Sequence, residues 1–376
     1  MLHRRFGKTK LNLSVFSLGT MRCLDNYQTY CETIETAIAL GINHLETAQS
    51  YGQSEVYLGR ALQDLGIPRQ EIYLTTKLTP TPNPQEMNSW LEESLARLQT
   101  DYLDCLAIHG INTWEHLEWV TNPDGCLAVI NNAMAQGKVR HLGFSTHGSL
   151  ELILAAIQTD IFEFINLHYY YFFQRNYPAI ALATQKDLGI FIISPGDKGG
   201  KLYTSPEKLR ELCAPMTPLE LTYRFLLSDR RITTLSVGAA NPTELIIPLQ
   251  IADAAHPLTI EEQGIFTQLE QQLTTSLGTD LCRQCDRCLP CPEQINIPEI
   301  LRLRNLTIAY EMEDYGQYRY GMLENAGHWF PGTKGNRCTD CGDCLPRCPE
   351  QLPIPALLRD THQRLKGKQG RRLWAE

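Results

Sequence analysis

Cysteine spacing near the end of the chain carries the clearest chemical signal in this sequence. The chain has 13 cysteines, of which five lie singly before residue 280 and eight lie after it. The eight form two runs, each followed by proline: Cys282, Cys285, Cys288 and Cys291, then Cys338, Cys341, Cys344 and Cys348. Thiolates at this spacing are ligands for metal, and in a chain without a secretory signal metal binding is a better first interpretation than disulfides.

The spacing favours iron–sulfur clusters among the possible metals. Three thiolates at i, i+3 and i+6 on a tight loop can bind three corners of an iron–sulfur cube, and a fourth comes from elsewhere. Zinc needs four ligands, usually two CxxC pairs, and two runs of four exceed that. We therefore expect two [4Fe–4S] clusters, with a pair of zinc sites or ordinary buried cysteines as alternatives.

Residues 281–355 resemble the dicluster ferredoxins. In that family the fourth cysteine of each run binds the other cluster. The resemblance therefore implies that Cys348 completes the ligand set of the first run and that Cys291 completes that of the second. The first run has two residues rather than three before its last cysteine, and the two runs are 46 residues apart. This long spacer favours a small, mainly helical module.

Ahead of these runs, the chain alternates apolar β-rich segments with amphipathic helical segments. The β-rich segments are Leu13–Leu18, Asn43–Ala48, Ile72–Lys77, Leu103–His109, Val139–Thr146, Phe162–Tyr169, Gly189–Ser194 and Ile232–Gly238. Eight strands, each followed by a helix, within about 260 residues predict an α/β fold of the (β/α)8 TIM-barrel type. A doubly wound sheet is the alternative, but no GxGxxG motif follows an early strand. We expect the barrel over residues 1–275, the iron–sulfur domain over 276–357 and a basic tail over 358–376.

Composition excludes several classes of protein. The chain has 376 residues, a formal net charge of −8 and 43% hydrophobic residues, as an ordinary globular protein does. The acidic balance argues against nucleic acid or an anionic membrane as the main partner. No run approaches the roughly 20 apolar residues that cross a bilayer, and the basic N-terminus lacks the apolar segment of a secretory signal. We expect a cytoplasmic protein.

In a barrel of this type, chemistry takes place at the carboxyl ends of the strands. Glu46, Tyr51, Lys77 and His109 lie at or just after three successive predicted strand ends. Each of these residue types is often structural when alone. Together they can form an acid, in which the Lys77 ammonium lowers the pKa of the Tyr51 hydroxyl, a carboxylate holds the lysine, and a histidine orients the substrate oxygen.

The segments that carry these residues are similar to those of the aldo-keto reductases: Ile42–Gly52, Thr75–Lys77, Asp104–His109 and Gly137–Thr146. The resemblance implies a barrel that reduces aldehydes and ketones with NADPH, less often NADH. It also implies that Tyr51 is the catalytic acid, assisted by Lys77 and His109. Glu46 stands where the family has aspartate, one methylene shorter.

We expect six cofactor contacts: Ser145, Asn166, Ser194, Gly199, Gly238 and Asn241. Ser145 and Asn166 match the carboxamide contacts of the family. The glycines of residues 195–202 would let the backbone approach a pyrophosphate, with an ordinary loop as the alternative. Residues 237–244 lead into a helix N-terminus suited to the adenosine phosphate. That segment has no Arg or Lys, so NADP(H) is expected from the family alone and NAD(H) stays open. Ile193 stands where many members place a tyrosine beneath the nicotinamide ring.

The two halves use different electron steps. Nicotinamides exchange hydrides, whereas each cluster moves one electron, and no flavin fingerprint is present to convert between them. We expect a carbonyl reductase that acts on a small carbonyl substrate and whose clusters serve a redox partner protein or regulation. The alternative is an electron-transfer or redox-sensing protein whose barrel is a weakly active or inactive scaffold, as Glu46 and Ile193 suggest. A third interpretation makes the clusters structural.

Overall fold

A computed structural model describes residues 1–254 and 256–367 of the chain. Within it the chain forms two compact units. Unit 1 comprises residues 1–199 and 222–257, and unit 2 comprises residues 200–221 and those from 258 onward. Part of the predicted basic tail, residues 368–376, lies outside the described residues.

Unit 1 contains a closed barrel of eight parallel strands in the order β10-β3-β4-β5-β6-β7-β8-β9. The strands are β3 (Phe16–Gly19), β4 (His44–Glu46), β5 (Tyr73–Leu78), β6 (Leu103–His109), β7 (Val139–Ser145), β8 (Phe164–Leu167), β9 (Gly189–Ile192) and β10 (Thr234–Val237). Each falls within or overlaps one of the eight β-rich segments, and the predicted (β/α)8 barrel is confirmed. Its closure is the pairing of Leu235 in β10 with Phe16 in β3.

Helices follow the strands along the chain. They are α1 (Tyr27–Ala39), α2 (Ser54–Asp64), α3 (Pro84–Leu98), α4 (Trp114–Thr121), α5 (Cys126–Ala135), α6 (Leu150–Gln158), α7 (Tyr177–Gln185), α8 (Glu207–Cys213), α9 (Pro218–Ser228) and α10 (Ile246–Gln250). Polar side chains fix where several of them begin: the N-cap residues Asn26, Asn83, Thr113 and Ser149 each accept a hydrogen bond from a backbone N–H of α1, α3, α4 or α6. Such caps satisfy donors that the first helical turn leaves unpaired.

An N-terminal hairpin of β1 (His3–Arg5) and β2 (Asn12–Ser14) covers the amino-terminal end of the barrel. Phe6 follows β1, is fully buried, and packs against Phe164 at the start of β8 with ring centroids 5.2 Å apart. Gly7 has a φ of +53°, and a Cβ there would lie 2.1 Å from the backbone N of Gly189. This end of the barrel is therefore sealed by tight packing, which leaves the carboxyl end for chemistry.

Unit 2 is mainly helical, as predicted for the iron–sulfur region. Besides α8, its helices are α11 (Ile260–Leu277), α12 (Ile297–Tyr310), α13 (Glu313–Met322) and α14 (Ile354–Leu365). Helix α12 is central, since 12 of its 14 residues are buried. Its buried Arg302 is satisfied by Glu299, one turn earlier, through two hydrogen bonds of 2.6 and 2.8 Å.

Helix α14 continues to Leu365, so the first residues of the predicted tail are helical, and Leu365 is fully buried. Among the residues that the structure describes, no helix has the length and apolar character needed to span a membrane.

Candidate functional site

The carboxyl end of the barrel brings together the four residues predicted to form the acid. Glu46 and His109 are the last residues of β4 and β6, and Lys77 lies near the end of β5. Tyr51 lies in the loop between β4 and α2. Glu46, Lys77 and His109 are 2–4% exposed, so their interactions are little screened by water.

The ammonium of Lys77 links Glu46 to Tyr51. Its Nζ lies 3.0 Å from Glu46 Oε1, donates to the Thr47 carbonyl oxygen at 2.8 Å, and donates to the Tyr51 hydroxyl at 3.3 Å. The longer glutamate therefore still pairs with the lysine. The three contacts hold the positive charge next to the phenol oxygen, where a negative charge would develop if the proton left.

His109 lies beside the Tyr51 ring. The two ring centroids are 5.6 Å apart and the planes are nearly perpendicular, at 83°. The Ser50 hydroxyl lies 3.1 Å from His109 Nδ1. This contact fixes the orientation of the imidazole at the barrel mouth, beside the Tyr51 ring.

Burial sets the protonation of these groups. It raises the pKa of Tyr51 above its ordinary value, although Lys77 opposes this, so the phenol is protonated at neutral pH. This differs from the expected net lowering by Lys77, because the loss of water around the phenolate outweighs the nearby charge. Burial would lower the pKa of Lys77, but Glu46 and Tyr51 outweigh it and raise that pKa. The lysine therefore stays charged.

Asn166 and Ser145, the predicted carboxamide contacts, are buried on β8 and β7. Asn166 Nδ2 donates to Glu46 Oε1 at 2.6 Å, while its Oδ1 has no hydrogen-bond partner among the described residues. The Ser145 hydroxyl accepts from the Gly110 N–H at 3.0 Å. Asn166 thus presents an unused acceptor, and Ser145 is already engaged with the backbone after β6.

The segment after β9 forms its own compact turn. The Ser194 carbonyl accepts hydrogen bonds from the N–H groups of Lys198 and Gly199 at 3.0 and 3.3 Å. A Cβ at Gly199 would lie 2.0 Å from the Pro195 carbonyl oxygen, so the folding of this loop alone already requires glycine there. Ile193 packs into the apolar core of the barrel, 8% exposed.

The segment after β10 holds an ion pair at the place predicted for a phosphate. Arg22 Nη1 donates to the Gly238 carbonyl at 2.6 Å and pairs with Glu244 at 2.7 Å. Glu244 also accepts from the Ala240 N–H, and Asn241 caps the following turn. Arg22 supplies the cation that this segment lacks in sequence. The sequence of residues 237–244 does not indicate this cation, because Arg22 lies in the loop after β3. Strand β3 pairs with β10 only in the folded barrel.

The eight cysteines of the two runs line two cavities in unit 2, each of about 330 Å³ including space open to solvent. The first is lined by Cys282, Cys285, Cys288 and Cys348. The second is lined by Cys291, Cys338, Cys341 and Cys344. All 13 cysteines of the chain are free thiols. Within the described residues, no three His, Cys, Asp or Glu side chains form a group that could hold a single metal ion.

An internal repeat explains this grouping. Residues 291–301 and 348–358 are identical at seven of eleven positions, and each segment runs from a cysteine into a helix start. Cys291 lines the second cavity, while Pro298 of the same segment lines the first. Cys348 lines the first cavity, while Pro355 lines the second. The repeat is visible in the sequence, whereas the lining of the two cavities shows which cysteine lies in which cavity.

Comparison with protein-family models adds to this geometry. Residues 16–199 match the model of the aldo/keto reductase family. Strands β3 to β9 of the barrel therefore lie within the part of the chain that resembles that family. Residues 281–352 match the model of a 4Fe-4S dicluster domain. Both resemblances noted in the sequence are confirmed.

Individual relatives agree with this assignment. Methylglyoxal reductase DkgB of Salmonella typhi is 31% identical over 153 residues, which are 40% of this chain and 55% of that protein. The chain therefore aligns with only about half the length of that relative. The uncharacterized oxidoreductase YqkF of Bacillus subtilis is 26% identical over 298 residues, 70% of this chain and 94% of that protein.

Among solved structures, the holo form of the aldo-keto reductase AKR11C1 from Bacillus halodurans covers 71% of this chain and 96% of its own. The TM-score is 0.63 and the identity 24%. This likeness shows that the two chains share the barrel fold.

Proposed function

We propose that this protein is an NAD(P)H-dependent oxidoreductase that reduces a small aldehyde or ketone to an alcohol, with Tyr51 as the general acid. The observation that carries the proposal is the chain of contacts from the buried Glu46 through the buried Lys77 to the hydroxyl of the half-buried Tyr51. Such a chain places a fixed positive charge where negative charge develops, which is the main source of rate enhancement in many enzymes.

Each residue has a distinct task in this reaction. A bound reduced nicotinamide would supply the hydride that goes to the carbonyl carbon. Tyr51 donates its hydroxyl proton to the carbonyl oxygen and recovers a proton from solvent afterwards. Lys77, 3.3 Å away, stabilises the transient phenolate, and His109 orients the substrate oxygen. Glu46 keeps Lys77 in place and charged.

The residues present fit a nicotinamide dinucleotide. Asn166 Oδ1 is a buried acceptor without a partner among the described residues, which suits an N–H of the carboxamide. Arg22 and Glu244 at the β10 loop suit opposite forms of the adenosine ribose, because arginine accommodates a 2′-phosphate and a carboxylate binds a 2′-hydroxyl. NADP(H) is our proposal from the family, and direct comparison with NAD(H) tests it.

For unit 2 we propose two [4Fe–4S] clusters with crossed ligation, one in each cavity. Two separate sets of four free thiols and the match to a dicluster domain support this. Clusters of this type would transfer single electrons. We further propose that a redox partner protein exchanges electrons with them.

The decisive experiment compares the Tyr51→Phe variant with wild type. We expect NADPH oxidation with a panel of short aldehydes, methylglyoxal included because of its DkgB relative, to fall about 10²–10⁴-fold, the usual contribution of a general acid. Binding of NADPH should persist. Tyr57→Phe, in helix α2, is the matched control and should keep the wild-type rate. A Tyr51→Phe variant that keeps most of the rate would refute the assignment.

A second function, electron transfer or redox sensing with an inactive barrel, has its own support. Ile193 is packed into the barrel core where many family members offer a ring to the nicotinamide, and Glu244 already neutralises Arg22. Tight NADPH binding without turnover of any carbonyl in the panel, together with reducible clusters, would favour this second function.

A further inference from the structure

One carboxylate oxygen serves two partners at the barrel mouth. Glu46 Oε1 lies 3.0 Å from Lys77 Nζ and accepts a hydrogen bond of 2.6 Å from Asn166 Nδ2. Asn166 and Glu46 are both buried. Glu46 therefore holds Lys77 and also contacts the side-chain amide of Asn166 on β8.

This contact determines the orientation of the amide. An asparagine side chain offers a donor on one atom and an acceptor on the other, whereas an ionised carboxylate can only accept. Burial raises the pKa of Glu46, and Lys77 and the Asn166 amide oppose this rise. In the ion pair with Lys77, whose Nζ lies 3.0 Å from Oε1, Glu46 is a carboxylate, so the Asn166 NH2 group faces it. The oxygen, Oδ1, must then point to the other side.

The oxygen that is turned away is buried and has no hydrogen-bond partner in the described part of the chain. Burying an unpaired acceptor is unfavourable, so such atoms in folded proteins usually serve a ligand or an ordered water. Here the fixed orientation makes the atom selective. It can accept an N–H and cannot donate one.

We propose that Glu46 is a positioning residue for cofactor recognition. It locks the Asn166 amide so that Oδ1 accepts an N–H of the nicotinamide carboxamide, and the same carboxylate oxygen holds Lys77. The inference rests on the proposed function. It goes beyond the carboxamide contact implied by the family resemblance, because it assigns the accepting atom and names the residue that orients it.

Length is the feature that distinguishes glutamate from aspartate in this role. Aspartate is shorter by one carbon–carbon bond, about 1.5 Å. A carboxylate drawn back by that distance loses the 2.6 Å contact with the short Asn166 side chain, whereas the long, flexible Lys77 side chain can follow it and keep the ion pair. The amide is then free to turn, and its oxygen is no longer held toward the ligand.

Binding of oxidised dinucleotides tests this inference without any turnover. The native dinucleotide is compared by calorimetry with its 3-acetylpyridine analogue, in which a methyl group replaces the amino group of the carboxamide. The thionicotinamide analogue, which keeps the amino group, is the control ligand. For wild type we expect the acetylpyridine analogue to bind about tenfold more weakly than the native ligand, as for one lost buried hydrogen bond. The control ligand should bind within about threefold of the native one.

The variants separate orientation from contact. In Glu46→Asp and in Asn166→Leu the preference for the carboxamide should fall to about twofold or less. Glu55→Asp is the matched control, because Glu55 is a buried glutamate that accepts from Thr76 at 2.6 Å and Arg97 at 2.7 Å. It should keep the tenfold preference. Circular dichroism verifies that each variant is folded.

Three results would overturn the inference. The first is a wild type that binds the native dinucleotide and its acetylpyridine analogue equally well, and the second is a Glu46→Asp variant that keeps the full preference for the native ligand while Asn166→Leu has lost it. The third is an Asn166→Leu variant that keeps this preference. The first and third remain decisive even if Glu46→Asp does not fold. Failure of the proposed function looks different, because wild type would then bind the dinucleotides without reducing any carbonyl, or would bind none of the three dinucleotides.

Discussion

Replacing Lys77 by methionine removes the charge next to the Tyr51 hydroxyl while keeping most of the side-chain volume. The Nζ and hydroxyl oxygen are 3.3 Å apart. With an effective dielectric constant of about 20, a unit charge at that distance stabilises a phenolate by about 5 kcal/mol. If about half of the phenolate charge is present in the transition state, the loss is about 2.5 kcal/mol, or roughly 10²-fold in rate.

The same change leaves Glu46 buried without its cation. Breaking a buried pair by removing one partner lowers the free energy of unfolding by about 3–5 kcal/mol. A loss of activity could then reflect a loss of fold. The double variant Lys77→Met/Glu46→Gln removes the unpaired charge as well, so it should recover much of the stability without recovering the rate.

The assay is kcat/KM for a carbonyl that wild type reduces, measured with stability by urea unfolding on the same preparations. Lys186→Met is the matched control. Lys186 pairs with Asp160 at 2.7 Å, and both lie in the connections between barrel strands that precede β8 and β9. It should keep the wild-type rate. A folded Lys77→Met variant within about threefold of wild type would refute the electrostatic role given to Lys77.

Three further predictions follow from other parts of the chain. Cys348→Ala should remove the cluster of the first cysteine run, and Cys291→Ala should remove that of the second, so that each variant binds about half of the iron. Iron analysis and electron paramagnetic resonance measure which cluster is lost. Loss of the cluster of the run that contains the substituted cysteine would contradict the crossed ligation. Because burial raises the pKa of Tyr51 above its ordinary value of 10, the alkaline fall in kcat/KM should lie above pH 10, and a fall centred near pH 8 would argue against Tyr51 as the acid. Gly143→Ala would bring a methyl group within 2.5 Å of the Phe164 ring and should lower the free energy of unfolding by about 1–3 kcal/mol. At Gly264 in helix α11 a Cβ would have no atom within 4 Å, so Gly264→Ala should raise the free energy of unfolding by up to about 1 kcal/mol. Urea unfolding measures both variants, and a Gly143→Ala variant more stable than Gly264→Ala would contradict both predictions.

The barrel strands could be predicted because strands of a parallel barrel are buried on both faces and read as continuous apolar runs. Leu103–His109 was predicted at its observed bounds, and all seven of its residues are buried. The N-terminal hairpin was missed for the opposite reason: β1 was not predicted, and the predicted segment Leu13–Leu18 merges the end of β2 with β3. Its strands have three residues each, and His3 and Arg5 are exposed. Strands this short leave no alternation to detect.

In the candidate site, the residues could be predicted from the sequence, whereas the partners that they contact could not. Strand ends indicated that Glu46, Lys77 and His109 share one end of the barrel, since carboxyl ends of parallel strands meet there. The contact of Asn166 with Glu46 spans 120 positions, and that of Arg22 with Glu244 spans 222. Only closure of the barrel sets which atoms meet over such separations. The internal repeat in unit 2, by contrast, was readable from sequence.

Electron counting relates the two proposed activities. Ile297 and Pro298 are neighbours in the first turn of α12, yet Ile297 lines the second cavity and Pro298 the first. Two clusters would therefore flank one helical turn and together hold two electrons, as many as one hydride carries. The two clusters and one hydride carry the same number of electrons. The transfer steps differ, because a hydride moves two electrons at once and a cluster accepts one at a time. A flavin takes up a hydride and releases single electrons, so we propose a flavoprotein as the redox partner through which the clusters would exchange electrons with nicotinamides.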